Sequence, residues 1–363
     1  MNLSIVFTGG GTAGHVTPNM ALIKQLKTEG WTIHYIGSEQ GIEHEMIENI
    51  GIPFHAVSSG KLRRYFSLKN VLDPFKILFG IMQSFCLFHR LKPDVVFSKG
   101  GFVAFPVVVG AWLNRIPVVA HESDMSPGLA NRLSFPFVNK ICLTFAAGKK
   151  HFKRQDKIEV TGTPIREQLF TGSKVRGLAR CGFTPEKPCL LVIGGSLGAG
   201  SINQSVRAAI GQLTEQFQVI HLCGKGKIDP LLLQYPGYCQ FEYAHEELAD
   251  LFAASDVVVS RAGANSLYEI LALGKPHVLI PLSAQVSRGD QIQNARYFQG
   301  LGISVVIQDQ GLNAETLLSA LEEVMQNQGD IKSKIKALNI ESATDKIIAL
   351  IKEQAHVEIP RTV

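Results

Sequence analysis

The sequence predicts an α/β fold of two similar doubly wound domains, and three of its features predict it. Short apolar runs alternate with longer amphipathic segments along nearly all of the 363 residues, the pattern of parallel strands joined by right-handed helical crossovers. Each half opens with a strand feeding a glycine turn, GGGTAGH at residues 9–15 and GGSLGAG at residues 194–200. Each half then repeats a second unit: DVVFSKGGF at 94–102 followed by IPVV at 116–119, and DVVVSRAGA at 256–264 followed by KPHVLIP at 275–281. Both copies read as a buried strand, a turn of serine, a base and small residues, a helix, and a proline-led strand. Two matches in the same order point to two related domains.

In chain order, the apolar run at residues 5–8 is the first strand, and the glycines behind it end it and open a helix. Strands follow at 32–36, 95–98, 118–121 and 140–144, with 158–160 close to a boundary. TGTPIR at 161–166 supplies a glycine and a proline after that strand, so residues 1–163 are assigned to the first domain and 164–363 to the second. The second series of strands runs 190–193, 218–222, 239–243, 257–260, 277–281 and 304–307. The last helix, about 343–355, is expected to pack back onto the first domain.

Composition narrows the function. A chain this long exceeds one ordinary core, and 45% hydrophobic with 18% charged residues is a globular composition. The net charge of +5 favours anionic partners without choosing among nucleotides, acidic lipids and nucleic acid. Six cysteines show no CxxC pair and no metal-ligand spacing with histidine, so they read as reduced thiols. The opening MNLSIVFTGGG passes straight into a strand, without the basic region and cleavage site of a signal peptide. The longest apolar stretch, residues 75–91, carries Lys76, His89 and Arg90. A span needs about 20 apolar residues, so none is expected. A soluble or surface-bound protein remains.

Gly9, Gly11 and Gly14 satisfy G-x-G-x-x-G between a strand and a helix, the dinucleotide fingerprint. That fingerprint also needs an acid at the tip of the second strand, where Gly37 and Ser38 stand and Glu39 comes late. A tight packing turn is a second reading. A third is a substrate site at a helix N-terminus, whose free N–H groups and dipole favour oxyanions. His15 opens that helix, where the positive end keeps an imidazole neutral and able to take a proton; the plain alternative is a polar first-turn residue without chemistry. The second glycine turn offers amides and the Ser196 hydroxyl to a diphosphate, and lacks the GK[ST] of a nucleotide-hydrolysing loop. Asn203, one to two turns on, is left between a ligand-facing and a solvated position. Glu269, shortly after the Arg261 turn, suits the two hydroxyls of a ribose or else stabilises a helix dipole. The polar run at 285–294 favours the ligand. The sequence contains no Asp-x-Asp, the usual carrier of a divalent metal in single-domain sugar-nucleotide transferases. Without a metal, a departing diphosphate needs a helix N-terminus and an arginine or serine, and this chain has both.

Together these residues resemble the MurG family, the peptidoglycan transferases that convert lipid I to lipid II, over nearly the whole chain. GGGTAGHVTP resembles the family's N-terminal glycine loop, KPDVVFSKGGFVA its second loop, VVAHESD its third and TGTPIR its interdomain segment. GGSLGA, SRAGANSLYE and the run ending DQIQNA resemble the donor-site segments. The resemblance implies a GT-B type fold: two Rossmann-like domains facing across a cleft, the donor in the C-terminal one. It implies that Thr12, Ala13 and Gly14 approach donor and acceptor. It further implies that Arg166, Ser196, Ala264, Asn265, Ser266, Glu269 and Gln291 bind the donor, with Gln291 on sugar hydroxyls, Glu269 on the ribose and Ser196 on the phosphates. The strand at 239–243 and the turn near His245 should edge the uracil. Ala13 stands for a family glycine, Leu197 for glutamine, Phe102 for tyrosine and Asp124 for asparagine. Phe102 removes a hydroxyl and Asp124 adds charge, so the acceptor contacts depart more than the donor contacts.

The reaction implied is inverting transfer of N-acetylglucosamine from its uridine-diphosphate donor to the 4-hydroxyl of the muramyl residue of lipid I, with no metal and no other cofactor. It needs one general base and a stabilised leaving group. His15 is the candidate base, with Glu122 and Asp124 as competitors. The implied partners are the donor, the polyprenyl-linked acceptor and an anionic membrane surface, not nucleic acid, for a peripheral protein at the cytoplasmic face of the cell membrane. Lys61, Arg63, Arg64 and Lys69 stand in an acid-free window, 49–72, ahead of Phe75, Leu78, Phe79, Met82, Phe85 and Phe88 at helical spacing. These make the candidate membrane face; the alternative is a helix that simply covers the sheet. Two rival functions share features: a non-hydrolysing UDP-N-acetylglucosamine 2-epimerase and a dinucleotide-dependent oxidoreductase.

Overall fold

The computed structural model describes residues 3–60, 69–195 and 198–356. The chain divides into two units, one of residues 1–164 with 342–363, the other of residues 165–341. In the first, β1 (Ser4–Thr8), α1 (Ala13–Thr28), β2 (Thr32–Gly37), α2 (Ile42–Glu48) and β3 (Phe54–Ala56) are followed by α3 (Lys69–Leu91), β4 (Val95–Ser98), α4 (Ala104–Leu113) and β5 (Val118–Glu122). Helix α5 (Leu129–Ser134) then leads to β6 (Lys140–Leu143) and β7 (Ile158–Val160). The strands form one parallel sheet in the order β3-β2-β1-β4-β5-β6-β7.

Strand alternation explains the two cores. Ile5 and Phe7 point to one face, where they meet Leu22, Leu26, Trp31 and Tyr35; Val6 points to the other, with Val96, Val107, Val108 and Phe88. Both faces are covered, which is why these strands are nearly unbroken apolar runs. The final helix of the chain, Thr344–Gln354, lays Ile347, Ile348 and Ile351 on the first of these cores. Its start is tied down by the Ala343 amide, which donates to the Thr163 carbonyl at 3.2 Å.

The second unit repeats the plan. It contains α6 (Lys174–Cys181), β8 (Cys189–Ile193), α7 (Gly200–Ala208), α8 (Ile210–Gln216), β9 (Gln218–Leu222), β10 (Tyr238–Phe241) and α9 (Leu248–Ala254). These precede β11 (Val257–Ser260), α10 (Ala264–Ala272), β12 (His277–Leu279), α11 (Asp290–Gly300), β13 (Val305–Val306), α12 (Ala314–Gln326) and α13 (Gln328–Ala337). The sheet order is β10-β9-β8-β11-β12-β13, again parallel throughout. Local chemistry sets the ends: Asn313 Oδ1 accepts the Thr316 amide at 2.9 Å while Thr316 Oγ1 accepts the Asn313 amide at 3.0 Å, a reciprocal cap that starts α12.

Both sheets therefore reverse their winding once, between β1 and β4 and between β8 and β11. A crevice opens at such a reversal, at the carboxyl ends of the strands. The glycine turns after β1 and β8 and the Ser-basic-small turns after β4 and β11 all lie at these two points. The sequence reading omitted β3, placed β10 one residue late at its start, and ran β12 and β13 beyond their observed ends.

Candidate functional site

In the first unit, three turns leave the carboxyl ends of β1, β4 and β5. The β1 turn is bonded from below at three consecutive residues. The Tyr35 hydroxyl donates to the Gly9 carbonyl at 2.6 Å, the Gly10 amide donates to the Gly100 carbonyl at 3.3 Å, and the Gly11 amide donates to Glu43 Oε2 at 3.1 Å. The dinucleotide reading fails here on physical grounds, because a carboxylate of the protein already holds the Gly11 amide that a pyrophosphate would need. Thr12 is the extended N-cap of α1, and no acid stands in the first turn of the helix itself.

His15, half-buried in that first turn, sets its Nδ1 3.2 Å from the Lys99 carbonyl. A carbonyl only accepts, so Nδ1 carries the proton and Nε2 carries the basic lone pair. Lys99 itself is buried. Its ammonium donates to His121 Nδ1 at 2.9 Å and to the Ser123 hydroxyl, while His121 Nε2 donates to the Gly162 carbonyl at 2.8 Å. Burial pushes the Lys99 ammonium down to about 8, against the pull of Glu122 and Asp124. Burial and the neighbouring Lys99 hold His121 neutral, well below the ordinary histidine range. One residue thus ties the β4 turn to the other two.

Glu122, the competing base, is placed as a brace of its own turn. Its oxygens accept the Asp124 amide at 3.0 Å, the Gly128 amide at 3.1 Å and the Asn131 carboxamide at 2.8 Å. A carboxylate that already accepts three donors braces the turn that carries Asp124, and its lone pairs are mostly committed there. Asp124 is half-buried on that turn. Phe102 lies over the β1 turn, within 2.6 Å of where a Cβ on Gly11 would stand.

In the second unit, a pocket of about 100 Å³ is lined by Arg166, Gly195, Glu242, Tyr243, Ala244, Ser266 and Glu269 with apolar residues from β8, β9, α9 and α10. The Arg166 guanidinium grips Glu269 as a fork, Nε to Oε1 and Nη2 to Oε2, both at 3.0 Å. Glu269 is the sixth residue of α10, beyond the first turn, so stabilising the helix dipole is not its role. Ala264 opens α10 and Asn265 follows it; Gly263 is the N-cap and the first turn holds no acid. Gln291, at the start of α11, accepts the Leu282 amide on Oε1 at 3.1 Å and brings Nε2 to 3.9 Å from the Cβ position of Gly263. Its donor face is therefore beside the α10 N-terminus.

Two expectations are amended. Asn203 is buried, donating to the Cys223 carbonyl at 2.8 Å and accepting from His221 Nε2 at 3.0 Å; it supports the end of β9 rather than facing ligand or solvent. The pocket edge is made by Tyr243 and Ala244, whereas the exposed His245 packs at a tilt against Tyr243, ring centroids 4.4 Å apart, outside the lining. Ser196 and Leu197 lie outside the described residues. Sequence reasoning also missed Arg261 as a fixed part of the second unit: it donates to Asp309 at 2.7 Å and to the Ser201 hydroxyl at 2.9 Å, anchoring the start of α7. Its place in the repeated Ser-basic-small turn was the only signal.

With this geometry in hand, comparison with known proteins gives consistent matches. The glycosyltransferase family 28 N-terminal domain matches residues 5–143 and the glycosyltransferase family 28 C-terminal domain matches residues 189–350. A relative from Legionella pneumophila (strain Lens), named UDP-N-acetylglucosamine--N-acetylmuramyl-(pentapeptide) pyrophosphoryl-undecaprenol N-acetylglucosamine transferase, is 77% identical over all of this chain and all of its own. A relative of the same name from Lachnoclostridium phytofermentans is 55% identical over 96% of this chain and 98% of its own. Among solved structures, MurG of Acinetobacter baumannii matches with a TM-score of 0.77 and 25% identity, covering 97% of this chain and 99% of that one.

Proposed function

The chain belongs to glycosyltransferase family 28, in the MurG family, and we propose on that footing that it transfers N-acetylglucosamine from UDP-N-acetylglucosamine to lipid I, giving lipid II. The observation that carries the reading is the 77% identity, over the full length of both chains, to a relative named for that transfer. The epimerase alternative is set aside, since the relatives at 77% and 55% identity both carry the transferase name.

In this reading the donor occupies the pocket of the second unit. The ribose hydroxyls donate to Glu269, which Arg166 holds in place; Ser266 and Gln291 face the sugar nucleotide, and the amides at Ala264 and Asn265 with the turn of Ser196 take the diphosphate. Helix N-termini without first-turn acids suit that charge. The acceptor lies against Thr12, Ala13, Gly14 and Asp124. Its 4-hydroxyl gives a proton to His15 Nε2 while the oxygen bonds to the anomeric carbon. The bond from that carbon to the diphosphate oxygen breaks, and the electron pair departs with UDP, inverting the centre. The test is product analysis with labelled UDP-N-acetylglucosamine and a short-chain lipid I analogue in the presence of EDTA. A β-1,4-linked disaccharide and one UDP per turnover are expected; epimerised donor without acceptor consumption would overturn the reading.

The same reading places the protein on the anionic cytoplasmic face of the membrane without crossing it, and α3 supports this. No described helix is long and apolar enough to cross a membrane. On α3, Phe75, Leu78, Phe79 and Met82 are 58–68% exposed, and Phe85 is 39% exposed. Phe88, counted with them from spacing, is 1% exposed and belongs to the core. The opposite side of α3 packs closely on the unit: a Cβ on Gly80 would stand 2.0 Å from the Ser58 carbonyl oxygen. The apolar stripe therefore faces outward, as an interfacial helix requires. Lys61, Arg63 and Arg64, which the sequence groups with this segment, lie outside the described residues.

A further inference from the structure

The geometry points to Glu43 as a positioning residue for the acceptor side: we infer that its carboxylate holds the β1 turn in the shape that presents His15 and the start of α1. This rests on the transferase reading above. An acid in the first turn of a short helix ordinarily faces water and its own helix dipole. Glu43, the second residue of α2, is instead fully buried, with its carboxylate folded back over the N-cap Gly41 toward the β1 turn. Oε2 accepts the Gly11 amide at 3.1 Å, and Oε1 accepts the Ser38 amide at 3.0 Å and the Ser38 hydroxyl at 2.5 Å.

The glycines around it are shaped to the carboxylate. A Cβ on Gly10 would stand 2.3 Å from Oε1, and a Cβ on Gly41 would stand 2.2 Å from both oxygens. Gly10 has no positive φ, so the middle glycine of the GGG run is there to admit this side chain rather than to bend the chain. The turn's other supports, Tyr35 to Gly9 and Gly10 to Gly100, join neutral groups. Only the Gly11 bond is charge-assisted, and such bonds are about twice as strong as neutral ones. It is also the last support before the N-cap Thr12 and His15.

The Gly11 amide is therefore spent on orientation rather than on ligand, and losing Glu43 should disturb turnover while sparing the donor pocket of the second unit. Glu43→Gln is isosteric but puts an NH₂ group against one of two backbone N–H donors. Glu43→Asp keeps both acceptors and withdraws them by one methylene. A displacement of about 1 Å at a reacting group costs about a hundredfold. We expect Glu43→Gln to lower kcat about a hundredfold and Glu43→Asp to lower it less. UDP affinity by calorimetric titration should stay within about twofold of the parent, and circular dichroism should be unchanged. Gly10→Ala, which pushes the carboxylate aside without removing it, should reproduce the loss and reads the inference if Glu43→Gln does not fold. A parent that makes no lipid II analogue overturns the transferase reading. An active parent with a folded variant of parental kcat, or a variant that loses UDP affinity in step with kcat, overturns the role given to Glu43.

Discussion

Glu122, Glu43 and Glu269 are three buried or nearly buried carboxylates, and what separates them is how many of their lone pairs the protein already uses. Glu122 and Glu43 each take three donors from their own unit. Glu269 takes a single guanidinium fork and lines a pocket, which leaves capacity on both oxygens for a ribose diol. Glu269→Ala should therefore raise the donor KM and leave Arg166 without its partner. A charged hydrogen-bonded contact contributes about 1.5–3 kcal/mol, so a ten- to hundredfold loss in kcat/KM is the expected reading, by initial rates at varied donor. Donor kinetics equal to the parent would remove Glu269 from the site. His15 predicts the opposite split. With Nδ1 anchored on the Lys99 carbonyl and Nε2 as the base, His15→Ala should cut kcat by roughly 10²–10⁴ with donor affinity kept. A loss confined to donor binding would make it a positioning residue. Motif spacing marked these turns in the sequence, but not which acids they saturate. Glu122 meets the Asn131 side chain and Glu43 meets a turn 32 residues away, and only the folded chain brings those groups together.

At the level of elements, strands with both faces covered were legible because burial on two sides forces an apolar run; β4 and β11 have the bounds their sequences suggest, and so does β9 although Gln218 and His221 interrupt its run. β3 escaped because it is a three-residue edge strand in which only Phe54 is a strong strand former. α3 was harder for a different reason. Helical spacing puts Phe88 three residues beyond Phe85, close enough in angle to read as one face, and only packing shows that the stripe ends at Phe85 while Phe88 enters the core. This distinction makes a prediction. Replacing Phe75, Phe79 and Met82 together by serine removes exposed apolar area and no core contact. Fully burying such a side chain contributes about 1.5–3 kcal/mol, and an interfacial helix buries only part of it. Co-sedimentation with anionic vesicles should therefore weaken by at least one order of magnitude, while thermal stability and turnover of a water-soluble acceptor analogue stay near parental. Undiminished vesicle binding by this variant would take α3 out of the membrane account.

For the whole molecule, the buried histidines set a direction for stability against pH. His121 in the first unit, and His221 and His277 in the second, are buried with both ring nitrogens bonded as neutral imidazoles. His121 accepts from Lys99 and donates to the Gly162 carbonyl. His221 donates to Asn203 and accepts from the Tyr238 hydroxyl, and His277 donates to the Lys275 carbonyl and accepts from Ser304. Burial pushes His221 down to about 3 and His277 down to about 4, from an ordinary value of 6.5. Since the folded values lie below the unfolded one, the unfolded chain binds more protons between pH 6.5 and those folded values. Stability is then full above that pH and is lost as pH falls toward 4 and 3. Each such group costs about 1.4 kcal/mol per pH unit inside its window. The first unit adds His34 and His55, partly buried and likewise held below the ordinary histidine range, so both units lose stability on acidification. Lys99 acts in a separate range: its folded value of about 8 against 10.5 unfolded makes stability rise with pH between those values. Scanning calorimetry between pH 7.5 and 5 should show transitions that move down as pH falls, the component of residues 165–341 among them. His277→Gln, which keeps a donor and an acceptor without a titrating ring, should flatten that component's slope. A melting profile unchanged across this interval would mean that the three imidazoles gain their protons as readily in the folded protein as in the unfolded chain, and that their bonding as neutral rings is wrong.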